Sequence, residues 1–303
     1  MKTADLNEYR QFASGAEFQK SINTLRGMVA GVKANGNFSS DEAMELAHWC
    51  SLHENFEKRP PFNEIIPIVR DAIEDGVIDE EEKQSILWVC DKLTGGFGEY
   101  YDDIAFSIQY LNGLVHGMLA DGELSDSEIL TLKKWLGENE FLQGTYPFDE
   151  LTSLVSVIIA DKLITAEERE TLMGFLGNIV EFKNSYNLRE SDFTKLREKY
   201  SVEGICALCP EIEFQGKTFV ITGESYHCSR AEMAKTIEDL GGTCRSSVTR
   251  KTDYLIVGNA GNPCWAFSCY GRKIESAIQL RKAGAKVVIV NETDLWDAVE
   301  DAK

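Results

Sequence analysis

Residues 21–93 align with residues 107–179 at a fixed offset of 86, without a gap and with 22 of 73 positions identical. A chain made of two copies of one unit must bury the same apolar face twice, so its first two-thirds is a tandem repeat. The shared positions include Gly27/Gly113, Gly31/Gly117, Trp49/Trp135, Asp75/Asp161, and the Pro-Phe pairs 61–62 and 147–148. Inside each copy a second period appears, because Ser39 is followed by Asp79 and Ser125 by Thr165, 40 residues on. The unit is therefore a helical hairpin, doubled twice. Apolar residues at three- and four-residue spacing between the corners predict about eight helices over 16–182, packed in antiparallel pairs.

Each corner follows one chemical plan. Gly36, Gly76 and Gly122 suit the left-handed conformation that ends a helix, with Lys162 as the departure. An apolar residue follows (Phe38, Ile78, Leu124, Ile164), then a capping side chain (Ser39, Asp79, Ser125, Thr165). Three residues later stands a glutamate, at 42, 82, 128 and 168, which completes a capping box. The same letters resemble half of a calcium loop. Such a loop needs oxygen ligands at its first, third and fifth positions and a closing glutamate at its twelfth. Aligned on Glu128, Gly117 and Leu119 fall where ligands belong, so the corners predict structure and not an ion site. His48, Cys50 and His53 lie on different helix faces and predict an ordinary surface. Trp49 and Trp135 predict core positions.

Charge divides the chain. From Glu211 onward there are 12 Lys and Arg against 13 Asp and Glu, a balance of −1, whereas residues 1–210 hold 19 against 37, a balance of −18. The first part repels a phosphate backbone and the second tolerates one. No segment reads as a signal peptide or a membrane span, and eight irregularly spaced cysteines suit reduced thiols. The expectation is a cytoplasmic chain with no membrane partner. Cys206 and Cys209 have the spacing of a zinc knuckle without a second pair, which leaves a zinc site or two unpaired thiols open.

The pattern changes at Lys217. "KTFVI", "TCRSSV", "DYLIVG" and "KVVIV" read as short strands that alternate with the helical segments "SRAEMAKTIEDLGG", "RKIESAIQLRKAG" and "ETDLWDAVEDA". Strands and helices in alternation predict a four-stranded parallel sheet covered on both faces. The whole chain is then multidomain: an all-α duplicated bundle over 1–182, a linker over 183–210, and an α/β domain over 211–303.

The helix–"DG-x-apolar"–helix corners over roughly 20–182 resemble TerB-like domains, which implies an all-α bundle of that kind. "GKTFVITG" at 216–223, "LGG" at 240–242, "TDYLIVG" at 252–258 and Trp296 resemble the BRCT family over about 212–300. The closest flavour is that of bacterial NAD-dependent DNA ligases and the large subunit of replication factor C. In BRCT domains that bind phosphate, the resemblance implies roles for Thr222, the N–H of Gly223, and Lys273, with Arg230 added in the DNA-binding subgroup. The segment before Lys273 carries Trp265, Phe267 and Tyr270. With Trp265 and Arg272 it offers possible DNA contacts, and Arg250 and Lys251 are further candidates.

No Walker loop, dinucleotide fingerprint, nucleophile elbow, HExxH or ligase-type adenylation lysine occurs. No enzymatic activity, cofactor or metal is expected. The leading expectation is a DNA-metabolism adaptor: the BRCT domain binds DNA with a 5′-phosphate end or nick, and the acidic helical domain recruits a protein. The alternatives are a phosphopeptide-binding module for a phosphoprotein, or a metal- or stress-responsive protein dimerised through its BRCT domain.

Overall fold

The computed structural model describes residues 3–32, 39–76, 78–96, 103–200, 205–225, 227–259 and 272–302, with only the backbone described for 3–15 and 96. Two corner residues, Gly36 and Phe38, lie outside the described residues, as does the aromatic segment with Trp265, Phe267 and Tyr270. Contacts divide the chain into two compact units, residues 1–132 with 173–198 and residues 133–172 with 199–303. Among the described residues no helix is long and apolar enough to cross a membrane.

The helical region contains α1 (Thr3–Gly31), α2 (Ser40–Leu52), α3 (Phe62–Ala72), α4 (Glu80–Gly96), α5 (Asp103–Leu119), α6 (Asp126–Glu138), α7 (Phe148–Ile158), α8 (Ala166–Leu176) and α9 (Glu190–Lys199). The first eight are the expected helices, although α1 begins well before residue 16. All four capping boxes form. The N–H groups of Ser39, Asp79, Ser125 and Thr165 donate to Glu42, Glu82, Glu128 and Glu168 at 2.6–2.9 Å. The glutamate N–H groups donate back to the cap oxygens at 2.8–3.4 Å. Each box is worth ~1 kcal/mol. Gly76 and Gly122 hold φ of 77°, and Lys162 adopts 65° in the same place. The corners thus spend their carboxylates on helix starts, and among the described residues no group of three His, Cys, Asp or Glu could hold a metal.

The two copies meet through their first helices. A methyl on Gly113 of α5 would lie 2.0 Å from the Thr24 carbonyl of α1, and one on Gly27 would lie 2.2 Å from the Tyr110 carbonyl. Gly31 and Gly117 repeat the relation against Leu114 and Met28. Thr24 and Tyr110 are 86 residues apart, as are Met28 and Leu114, so the contact is self-complementary between copies. Hydrogen alone at these four positions lets two helix backbones touch. Behind this seam, Ile22, Leu25, Leu46, Trp49, Phe62, Ile65 and Ile86 form a closed core. Trp49 is 5% exposed, whereas Trp135 is half-buried.

In the second unit, β1 (Thr218–Thr222), β2 (Thr243–Arg245), β3 (Tyr254–Val257) and β4 (Val288–Asn291) form a parallel sheet in the order β2-β1-β3-β4. Alternation sends Phe219, Ile221 and Ile256 to one face, with α10 (Arg230–Asp239) and α12 (Glu292–Asp301). Val220, Leu255 and Val257 go to the other, with α11 (Arg272–Lys282). Arg281 of α11 is buried in the same unit against α7. It donates to Glu150 at 2.6 and 2.8 Å, to Asp149 at 3.0 Å, and to the Val287 and Thr145 carbonyls at 2.5 and 3.1 Å. Cys206 is buried, its thiol pushed up to about 12 by burial, while Cys209 is exposed.

Candidate anion-binding site

A parallel sheet gathers its loops at the carboxyl ends of its strands, and in open α/β sheets ligands bind there. β1 ends at Thr222, and the chain turns at Gly223, which has φ of 75°. A side chain at 223 would be strained by that angle and would also press on the backbone of Gly258 at 3.2 Å. The turn leads to Ser229, whose hydroxyl and Glu232 form the capping box that starts α10. Arg230 is thereby fixed at the first position of α10, and Lys273 at the second of α11.

Both cations reach the same turn. Arg230 Nη2 donates to the Gly223 carbonyl at 2.8 Å, and Lys273 Nζ donates to the Ile221 carbonyl at 2.8 Å. They grip the backbone on either side of Thr222, and among the described residues neither has a carboxylate partner. Burial, and then the positive charge of Arg230, push the Lys273 ammonium below its ordinary value. A cavity of about 300 Å³ adjoins the turn, lined by Gly223, Ser225, Ser229, Arg230 and Gly258 among others. Two cations, a left-handed glycine and the starts of two helices, that of α10 already capped by Ser229 and Glu232, thus gather at one strand end, and groups of these kinds can contact an oxyanion.

The other candidates are not all brought here. Arg272 is exposed and adjacent to Lys273 at the start of α11. Arg250 and Lys251 are exposed on the turn before β3, at the opposite end of the strands from Thr222. The register Phe219↔Tyr254 and Thr222↔Val257 puts at least three strand residues between them and the turn, roughly 10 Å at ~3.3 Å per residue. Trp265 lies outside the described residues. His48, Cys50 and His53 diverge: His48 faces Tyr186, Cys50 is buried in the core, and His53 hydrogen-bonds Ser21 and the Trp49 carbonyl.

One organising residue was not visible in the sequence reading. Glu292, at the start of α12, is fully buried. It accepts from the Ser225 hydroxyl, from the Asn259 N–H at 2.8 Å, and from the Trp296 indole N–H at 3.0 Å. Ser225 in turn accepts the N–H of His227 at 2.9 Å. One carboxylate therefore ties the loop after β1 to the loop after β3, the two walls of the site. Trp296 is half-buried and packs against the core as expected, but its N–H also has work to do. The four-residue spacing from Glu292 was the available signal.

Residues 209–297 match the model of the family described as the BRCA1 C Terminus (BRCT) domain. The chain thus carries a BRCT domain after its helical region, and it is homologous to bacterial DNA ligases. A DNA ligase of Fervidobacterium nodosum is 37% identical over 124 residues, 41% of this chain and 16% of the ligase. One from Fusobacterium nucleatum is 26% identical over 191 residues, 62% of this chain and 24% of the ligase. One from Desulforudis audaxviator is 46% identical over 65 residues, 22% and 8% of the two chains. The chain thus spans less than a quarter of these relatives. No solved structure gives a significant match.

Proposed function

We propose that this chain is an adaptor in DNA metabolism whose BRCT domain holds a 5′-phosphorylated DNA end or nick. The observation that carries the reading is the meeting of Arg230 and Lys273, from two helices, at the turn Thr222-Gly223, where among the described residues neither cation has a carboxylate partner. On binding, both cations exchange carbonyl partners for phosphate oxygens, and the Thr222 hydroxyl and Gly223 N–H complete the cradle. Arg272 and Trp265 extend the contact along the DNA. Relatives named DNA ligase support DNA as the first ligand to test. The domain does no chemistry at this site; it binds. The acidic helical repeat, with most of the −19 net charge, avoids DNA and recruits a protein instead.

The test uses the full chain and two duplexes that differ only in a 5′-phosphate or a 5′-hydroxyl. Tighter binding of the phosphorylated end is expected, weakening with added salt as counterions are released. Lys273→Glu and Arg230→Glu should remove the preference. Equal binding of both duplexes ends the proposal for end recognition, and preference for a phosphopeptide over either duplex makes the module a phosphoprotein reader.

A further inference from the structure

The duplication itself exposes a second site, in the first unit. At the copy-related pair Tyr110 and Arg26, the guanidinium lies 4.9 Å over the phenol ring, and Arg26 is anchored at 2.5 Å by Asp91. The corresponding residues 86 positions away are Thr24 and Asn112, both far smaller. Where these two face each other there is a cavity of about 370 Å³. Met28, Trp49 and Leu52 give it an apolar wall, Ser21, Asn112 and His116 give it polar ones, and Glu17 and the Lys20–Glu181 ion pair also line it.

Its polar groups are oriented. His53 Nδ1 lies 2.7 Å from the Trp49 carbonyl, which can only accept, so Nδ1 carries the proton. Nε2 is then a lone-pair acceptor, and it lies 2.5 Å from Ser21 Oγ. The ring is held flat against Phe62 at 4.8 Å. Burial lowers the His53 pKa, the backbone bond opposing it, which favours the neutral ring whose Nε2 lone pair can accept a proton. His116 is fixed by Glu45 at 3.0 Å, and that carboxylate also accepts from the Ser185 hydroxyl and the Asn187 N–H. Burial pushes Glu45 up, but these bonds and the His116 charge outweigh it and hold its carboxyl at about 2.

We propose that Ser21 is a nucleophile activated by His53, and that the cavity takes small carboxylic esters with a short apolar acyl group. The arrangement has the elements of nucleophilic catalysis: nucleophile, base, and a third group orienting the base. Ser21 Oγ attacks the ester carbonyl and gives its proton to His53 Nε2. The bond to the leaving alkoxide breaks as His53 protonates it. Water then repeats the sequence, releasing the carboxylic acid and restoring Ser21. The Asn112 amide, in the same cavity, is the candidate donor to the carbonyl oxygen. A motif scan misses such a pair, because its members stand 32 residues apart, one on α1 and the other capping α2.

The second copy supplies the control. Asn139 replaces His53 there and still donates to the Trp135 carbonyl at 2.8 Å, so asparagine keeps the helix end while lacking a base. The full chain is treated with an alkyl fluorophosphonate and the adduct mapped by peptide mass spectrometry, alongside hydrolysis of p-nitrophenyl butyrate. A single adduct on Ser21 is expected, absent in Ser21→Ala. His53→Asn should keep the melting temperature and lose roughly 10²- to 10⁴-fold in rate, the usual contribution of a positioned base. Thr24→Tyr with Asn112→Arg, which rebuilds the filled pair, should also block labelling. No Ser21 adduct on the folded protein, or equal labelling of His53→Asn, overturns the proposal. Neither result bears on DNA binding.

Discussion

Arg281 and the pair Arg230/Lys273 present the same chemistry, cations reaching backbone carbonyls in one α/β domain, but to opposite ends. The Arg281 side chain is 1% exposed and meets two carboxylates besides its carbonyls, so its charge is matched inside the protein. Among the described residues Arg230 and Lys273 meet carbonyls and no carboxylate, and the charge of Arg230 disfavours that of Lys273. Buried structural charge is paired, because an unpaired ion inside a protein is expensive. Like charges left side by side at a strand end suit a partner that arrives from outside. The difference in pairing, more than in residue type, separates a structural cation from a binding one.

The largest effect should come from breaking the sealed pair. Arg281→Met leaves Asp149 and Glu150 buried without their counterion, and should cost about 3–5 kcal/mol in urea unfolding. Burial already pushes Asp149 up, with Arg281 pulling it back. Without that pull the folded state binds a proton that the unfolded state gives up, so the deficit should shrink as pH falls toward 4. Replacing Asp149 and Glu150 by apolar residues as well should recover most of the loss. A deficit that does not depend on pH would mean that packing, not charge, holds Arg281.

Glu292 is the intermediate case, a buried carboxylate satisfied by neutral donors. Glu292→Ala strands the Ser225 hydroxyl, the Asn259 N–H and the Trp296 N–H, at about 1–3 kcal/mol for the first group left unpaired. Circular dichroism melts should place it below Arg281→Met in damage. It should also weaken any anion binding at the turn, since both walls lose their tie.

Arg230→Met should change stability by less than about 0.5 kcal/mol, as exposed sites do, and Lys273→Met, at a half-buried site, by somewhat more. Affinity for a 5′-phosphorylated duplex should nevertheless fall about tenfold or more for each, a loss of one charge-assisted contact of ~1.5–3 kcal/mol. A variant that loses binding only by unfolding would erase the distinction drawn above.

The same contrast marks what could be read from sequence. The corners, the strands and the helix starts were legible because a capping box or an alternating strand is local: Ser39 needs only Glu42, and Ser229 only Glu232. Thr222, Gly223, Arg230 and Lys273 were legible through family resemblance, and the structure brings the two cations to that turn. Arg281 read as one more basic residue in a helix, since its partners are 131 and 132 residues away. Ser21 and His53 stayed hidden for the same reason. Arg250 and Lys251 read only as possible further DNA contacts, and their place at the other end of β3 from the turn was not legible, because sequence does not say which end of a strand faces which.

The smallest expected effect is the sharpest test of the open pair. Lys273 should titrate below 10.5 in the free protein, observed through its side-chain ¹³C and ¹⁵N resonances, because burial and Arg230 both disfavour its charge. Between that lowered value and 10.5 the unfolded chain binds more protons than the folded one, so stability should rise slightly with pH across that window. A bound phosphate reverses the balance, since a dianion beside two cations favours both charges. The Lys273 pKa should therefore move up on adding a 5′-phosphorylated oligonucleotide and stay put with its 5′-hydroxyl counterpart. An ordinary titration in the free protein would show the two cations well separated in solution, and the open site would then differ from the sealed one in exposure alone.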